Sequence, residues 1–484
     1  MHFIRPDMHT RRAFLRRTGQ LALTGAALPT AINLAAMGEA AAFNATDYKA
    51  LVCIFLNGGN DYANTVVNYD PTTHGLYSGI RTNIALSRES LVNTVLNPTT
   101  LLPGGVQYAL HPAMTGLAGL FNAGQAAVQL NVGPLVMPIT RQQYNARSVP
   151  TPPKLFSHND QQSVWQSSAP EGSPSGWGGR IGDLALSNGA NNPSLFTCIS
   201  VTGNAVFLAG NSALSYQVGT GGPVRVKALD NLGGPVYGSE LVKSTITALA
   251  LQERTHRLEK EYNLVTGRAH GAFTQISEAL AEVPANDARL SALPANNNLA
   301  DQLKMVARLI AARGDLGTRR QVFFVSIGGF DLHDNLITGQ NTLMGRLSAA
   351  MTGFYQATAA LGVADKVTAF TASDFGRTLT SNGDGSDHGW GSHHLIVGGA
   401  VRGRAFYGKA PPVSVTNSTT DAFDQWHVGQ GRLLPSTSVD QYAGTLATWF
   451  GVQGTEMNGI LPNLGNFNSG DSPRDMGFMV NPQA

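Results

Sequence analysis

The run Gln321-Val322-Phe323-Phe324-Val325-Ser326-Ile327 passes directly into Gly328-Gly329-Phe330-Asp331-Leu332-His333. Seven residues rich in β-branched and aromatic side chains, closed by two glycines, read as a buried strand, and an acid and an imidazole stand at its carboxyl end. The pattern recurs. Tyr48–Leu56 ends in Asn57-Gly58-Gly59-Asn60-Asp61, and Lys366–Thr371 leads to Ser373-Asp374-Phe375-Gly376-Arg377. A further stretch, Asp387-His388-Gly389-Trp390-Gly391-Ser392-His393-His394, opens a short strand at His394–Val397. Carboxylates and imidazoles projected from the ends of neighbouring parallel strands are how an α/β enzyme assembles a metal or acid–base site.

Working outward, a helix over His111–Asn122 precedes a strand at Ala126–Val132, and Leu195–Val201 with Ala205–Leu208 read as a strand pair. Helical spacing runs from Ser239 to about Arg313, and again over Gln340–Leu361 and Asp440–Phe450. Strands alternating with helices predict an α/β fold, a doubly wound and mostly parallel sheet, with a helical insertion or cap at about 205–300. Residues from about 134 to 180 are rich in Pro, Ser and Gly, the composition of a long ordered loop that carries function.

The amino terminus is of another kind. Thr10-Arg11-Arg12-Ala13-Phe14-Leu15-Arg16, an apolar stretch from Leu21 to Ala36, and Ala40-Ala41-Ala42 before Phe43 form the basic, apolar and small-residue regions of an export signal with paired arginines. The expectation is a signal over 1–42 that meets the twin-arginine translocase, then a single domain over 43–484 that is periplasmic or secreted. Residues 1–42 hold five of the arginines and two of the acids, so the remainder carries 28 basic against 29 acidic side chains. That balance removes the basis for nucleic-acid binding. Beyond the signal no stretch is long and apolar enough for a transmembrane segment. Cys53 and Cys198 lie in apolar runs, where a disulfide and two buried thiols are both open readings.

Asp331 and His333 are two residues apart after a strand, and Gly328-Gly329 lets the backbone bend so that both face one cation. Adding Asp61, Asp374 and His388 gives a mixed oxygen and nitrogen set. Such a set favours a divalent metal of the zinc, manganese or iron kind, with calcium or magnesium, which an all-oxygen set would suit better, kept as the alternative. Arg377 follows Asp374 by three residues and pairs with it or binds an anionic substrate. Ser157 stands just before a helix at Asp160–Gln166, where a hydroxyl is either a nucleophile beside backbone amides or an N-cap. His393 and His394 point to opposite sides of an extended chain. No nucleophile-elbow, phosphate-loop, dinucleotide or His-Glu-x-x-His motif is present.

Phe55-Leu56-Asn57-Gly58-Gly59-Asn60-Asp61 with Asn64-Thr65-Val66-Val67, Leu110-His111-Pro112, Ser157-His158 and Gly176-Trp177-Gly178-Gly179-Arg180 form a combination with the strand-end segments above. Near the carboxyl end stand Gly431-Arg432-Leu433, Thr437-Ser438-Val439-Asp440-Gln441-Tyr442 and Trp449-Phe450-Gly451. Together they resemble a large bacterial family, the domain-of-unknown-function family numbered fifteen hundred and one, whose members are typically exported by the twin-arginine route. That family looks like an outlying branch of the alkaline phosphatase and sulfatase superfamily. The resemblance implies an alkaline phosphatase-like α/β fold and metal ligands in the chain order Asp61, Asp331 with His333, Asp374, His388. It also implies a nucleophile between the first two groups, where Ser157 lies. Phe375 stands where the superfamily has His after the strand-end Asp, which predicts a weak or missing second metal. A Cys/Ser-x-Pro-x-Arg motif is absent, which argues against formylglycine chemistry.

The function expected is therefore an exported metal-dependent hydrolase of phosphate or sulfate esters, acting on a small-molecule or polymer substrate. The alternative is a non-catalytic envelope protein that uses the same fold to bind a polymer or partner.

Overall fold

The computed structural model describes residues 43–480 apart from 44, 188, 192–193, 226–227 and 230–233. The expected export signal lies outside the described residues.

Seven segments form the body of one mixed sheet: β1 (Lys49–Leu56), β2 (Ala126–Gly133), β3 (Cys198–Ser200), β4 (Ser215–Gly219), β5 (Arg320–Ile327), β6 (Val367–Ser373) and β7 (Ser392–Gly398). Their order is β2-β7-β6-β1-β5-β3-β4, and short strands at both edges bring the total to ten among the described residues. β1 is parallel to both β5 and β6, and β3 is parallel to both β5 and β4. β7 is antiparallel to both β6 and β2.

Every residue of β1 is buried, as a central strand covered on both faces requires. Its side chains divide with period two. Ala50, Val52, Ile54 and Leu56 face the larger core with the helices Thr115–Asn122, Asn298–Ala311 and Leu336–Ala360. Leu51, Cys53 and Phe55 face the other core with Trp165, Ile181 and the helix Val439–Phe450. The doubly wound α/β reading thus holds, with helices on both sides. No helix among the described residues is long and apolar enough to cross a membrane.

Ala205–Leu208 departs from the expected strand pair. Val206–Leu208 is a single 3-10 turn whose Phe207 ring packs edge-on against Trp177 at 4.6 Å. Gly176, Gly178 and Gly179 leave room there: a Cβ on any of them would stand within 2.7 Å of residues 206–209. An apolar run records burial but not backbone shape, and here it is a plug under a helix; β4 is the strand that pairs with β3. Cys53 and Cys198 are both free and buried, and β5 separates their strands.

One buried acid makes the fold sensitive to pH. Asp440, in the first turn of Val439–Phe450, accepts from the Ser168 hydroxyl (2.7 Å) and the Asn463 amide (2.8 Å). Burial pushes its carboxyl up to about 6, with those bonds and Arg180 opposing. A raised acid favours the folded chain below the unfolded carboxyl's pKa and loses that advantage as pH rises to the folded value. Wild-type stability should therefore fall by on the order of 3 kcal/mol between about pH 4 and pH 6. Asp440→Asn keeps both partners and should flatten that stretch of the urea-unfolding profile; an unchanged slope would remove Asp440 as the cause.

Candidate metal centre

The parallel strands β1, β5 and β6 end on one edge of the sheet, and β7, running the other way, begins there. Residues 374–391 therefore form a hairpin on that edge, beside the segments that follow Leu56 and Ile327. These segments are pressed together. Gly58 has φ +116°, and a Cβ there would lie 2.4 Å from the Asp331 amide nitrogen. Phe330 donates its amide to Asn57 (3.1 Å), locking the two strand-end loops in register.

Three imidazoles converge on one carboxylate. Asp331 Oδ1 lies 3.1 Å from His333 Nε2 and 3.2 Å from His388 Nε2, and Asp331 Oδ2 lies 3.4 Å from His158 Nε2. Ligand atoms of His158, Asp331 and His388 all fall within 4.8 Å of one another, and His333 Nε2 is 3.1 Å from His388 Nε2. The other nitrogen of each ring is held from behind. His158 Nδ1 donates to Asp374 Oδ2 (2.6 Å), His333 Nδ1 to Asp387 Oδ1 (3.2 Å), and His388 Nδ1 to the Phe156 carbonyl (2.8 Å).

Those acceptors fix the tautomers. A carboxylate or carbonyl can only accept, so each Nδ1 carries a proton; each Nε2, which faces the Asp331 carboxylate, then either carries a second proton as an imidazolium or turns its lone pair to a cation held between them. Two lone pairs facing each other at 3.1 Å, as in His333 and His388, require a proton or a cation between them. This is the arrangement of metal-bound histidines, whose outer nitrogen is held by a carboxylate or carbonyl. Three imidazoles and one carboxylate fit zinc or manganese by donor chemistry.

The electrostatics of the rings differ. Burial lowers the His388 pKa and keeps the ring neutral. The hydrogen bond to Asp374 raises that of His158. Burial works to raise Asp331, but Arg377, His333 and His388 hold its carboxyl below the usual range. The Asp331 side chain remains 43% exposed, so the cluster is open to solvent.

A family model described as "Protein of unknown function (DUF1501)" matches residues 48–424. The chain belongs to that family. No curated protein matches it. Solved structures with weak similarity include two of one protein. One is described as "Crystal structure of Ps i-CgsB in complex with k-i-k-neocarrahexaose", at 9% identity and TM-score 0.32, covering 89% of this chain and 78% of that one. The other, "Crystal structure of Ps i-CgsB", has 10% identity and TM-score 0.31, covering 87% and 77%. Likeness that faint bears on neither fold nor activity.

In this DUF1501 chain the structure brings Asp331, His333 and His388 together and sets Asp374 behind His158. Asp374 is fully buried; its Oδ2 takes His158 and Gln162, while Oδ1 receives no hydrogen bond. Asp61 is not brought into the group. Its Oδ1 accepts the amides of Ala63 and Asn64 as an N-cap, and its Oδ2 accepts Arg81 (2.6 Å) and the Ser386 hydroxyl (3.0 Å). Arg377 pairs with Asp331 (2.7 Å), not with Asp374, and also binds the Gly58 carbonyl and Ser386. Ser157 heads the helix His158–Ser167, but its hydroxyl donates to Asp160 (2.8 Å).

His158 is the ligand candidate that sequence reading passed over in favour of its neighbour Ser157. Its only local signal was an imidazole in the first turn of a helix leaving a long Pro-rich loop. Phe375, next to Asp374 in the hairpin, lays its ring against His158 (4.8 Å) and His388 (4.6 Å), forming an apolar wall on that side of the cluster. His393 and His394 stay away, packed on opposite faces against Tyr62 and Trp165, and burial pushes both down to about 3.

Gly58→Ala should lower stability by about 1–3 kcal/mol or more, because positive φ and a backbone collision act together. Gly104→Ala, also at positive φ but with open space around it, is the control. Equal losses in urea unfolding would show that the contact with Asp331 is not what matters.

Proposed function

We propose that the chain is an exported metal-dependent hydrolase of phosphate or sulfate esters. The observation that carries this reading is the convergence of the His158, His333 and His388 Nε2 atoms on Asp331, with every Nδ1 held from behind. Those four residues would hold the ion. When bound, a zinc or manganese ion would supply Lewis acidity and lower the pKa of a coordinated water.

The chain's own groups do the rest. Arg377 clamps Asp331 from beneath and so orients its oxygens. Asp374 and Gln162 fix the tilt of the His158 ring and its protonated nitrogen. Phe375 keeps the inner side dry and leaves the exposed side of Asp331 as the approach for substrate. Ser157, expected as the nucleophile, is engaged with Asp160, which favours water as the attacking group.

A second reading, a non-catalytic protein that binds an envelope polymer or partner, draws on Asp61 and Arg377. Both are consumed by internal bonds, as structural acids and bases would be. Metal analysis separates the readings.

Purified protein should carry close to one zinc or manganese per chain and cleave activated aryl esters, and Asp331→Ala should abolish both properties. Asp387→Asn, which weakens the support of His333, should lower metal affinity by about 10–100-fold. Folded wild-type protein that takes up no metal and turns over no ester would defeat the hydrolase reading and leave the binding one. For export, Arg11→Lys with Arg12→Lys should hold the precursor in the cytoplasmic fraction; unimpeded release would refute the twin-arginine route.

A further inference from the structure

Arg432, Phe156 and His388 form a closed unit at the rim of the cluster. Arg432 donates Nε to the His388 carbonyl (2.7 Å), its guanidinium lies over the Phe156 ring (5.5 Å), and the Phe156 carbonyl holds His388 Nδ1 (2.8 Å). Phe156 adopts φ +72°, an uncommon backbone state for a bulky residue, which turns its ring and carbonyl into these two contacts. The guanidinium plane is thereby set by stacking and by one hydrogen bond. Its two terminal nitrogens bond to no described residue, and the side chain is half-buried. A planar fork with two free ends is suited to two oxygens of a tetrahedral oxyacid group.

The other charges near the cluster are already matched or are negative. Arg377 has all three nitrogens engaged within the protein. Arg81 is buried against Asp61, and Lys154 faces Asp160 at 3.5 Å. On the open side stand Asp331, the half-buried Asp387, and the exposed Asp334 and Asp384. The Asp384 carboxylate is tied to the Asn335 amide (3.1 Å), which keeps it beside the loop that bears His333. Beyond the ion itself, a dianion would therefore meet, among the described residues, a single guanidinium with free ends, itself within the field of Asp387, and several carboxylates. A monoanion needs no more than that.

We propose, resting on the hydrolase reading above, that Arg432 is the substrate-binding cation and that the centre takes singly charged oxyacid esters rather than dianionic phosphate monoesters. Sulfate monoesters and phosphate diesters share that charge, and the two can be told apart by assay. Hydrolysis of either adds water across the ester bond: the S–O or P–O bond breaks, water oxygen joins sulfur or phosphorus, and the leaving alkoxide or phenoxide takes a proton.

The test uses the full folded chain loaded with zinc or manganese at about pH 8, with p-nitrophenyl sulfate, bis(p-nitrophenyl) phosphate and p-nitrophenyl phosphate as probes. At least one of the first two should exceed the third by about tenfold or more in kcat/KM, and which one does so identifies sulfate or diester chemistry. Arg432→Ala should raise KM for that probe by about 10–100-fold with a smaller change in kcat, and Arg432→Lys should recover part of the loss. Preference for p-nitrophenyl phosphate, or an unchanged KM in folded Arg432→Ala, would overturn the inference while leaving the hydrolase reading standing. Metal-loaded protein inert toward all three probes would bring down both.

Discussion

A guanidinium with no exposure to solvent holds the strand-end loops together. Arg377 reaches Gly58 after β1, Asp331 after β5 and Ser386 in its own hairpin, so three separate pieces of chain share one cation. The network runs on. Ser386 donates to Asp61, and Asp61 is paired with Arg81, itself fully buried. Two arginines and two carboxylates thus balance one another, and Asp331 is the only one of the four that reaches solvent. Removing one member of a buried pair leaves its partner charged and unmatched, at a cost of about 3–5 kcal/mol. The position of Asp331, and hence of everything gathered on it, depends on this relay.

The sheet was legible because its strands announce themselves. A central strand buried on both faces reads as a near-continuous apolar run, and β1, β5 and β6 are largely apolar stretches with an acid one to five residues past their ends. The role of each acid was less legible. Asp61 and Asp374 carry the same local signature as Asp331, a carboxylate just past a strand. What separates them is which arginine, amide or imidazole comes from elsewhere in the chain, and that is a property of three dimensions. His158 was hidden for the same reason. It comes from a loop that departs from β2, and nothing in Ser157-His158-Asn159-Asp160 records that the helix start lies over the β6 edge.

Phe375 is a gap in the expected ligand set by sequence, and in the structure it has a shape. Its ring covers one side of two imidazoles, and Gly59 must lack a side chain to admit it, since a Cβ there would stand 2.4 Å from the ring. A non-polar wall behind nitrogen ligands lowers the local dielectric and strengthens every charge interaction on the open side. One residue therefore closes one side of the cluster and sharpens the field on the other.

The reversed direction of β7 has a wider consequence. Because β6 and β7 are neighbours joined at the site edge, the hairpin bearing Asp387 and His388 closes locally, whereas His158 and Asp331 arrive by long crossovers. No short peptide of this chain contains the whole donor set, so the set comes into being only when the sheet does. An ion that binds there binds the native state and not the unfolded one, and its free energy adds to folding. Were an ion to bind there, metal supply and conformational stability would be one equilibrium, and a chelator would be felt first as a softening of the fold along that edge of the sheet.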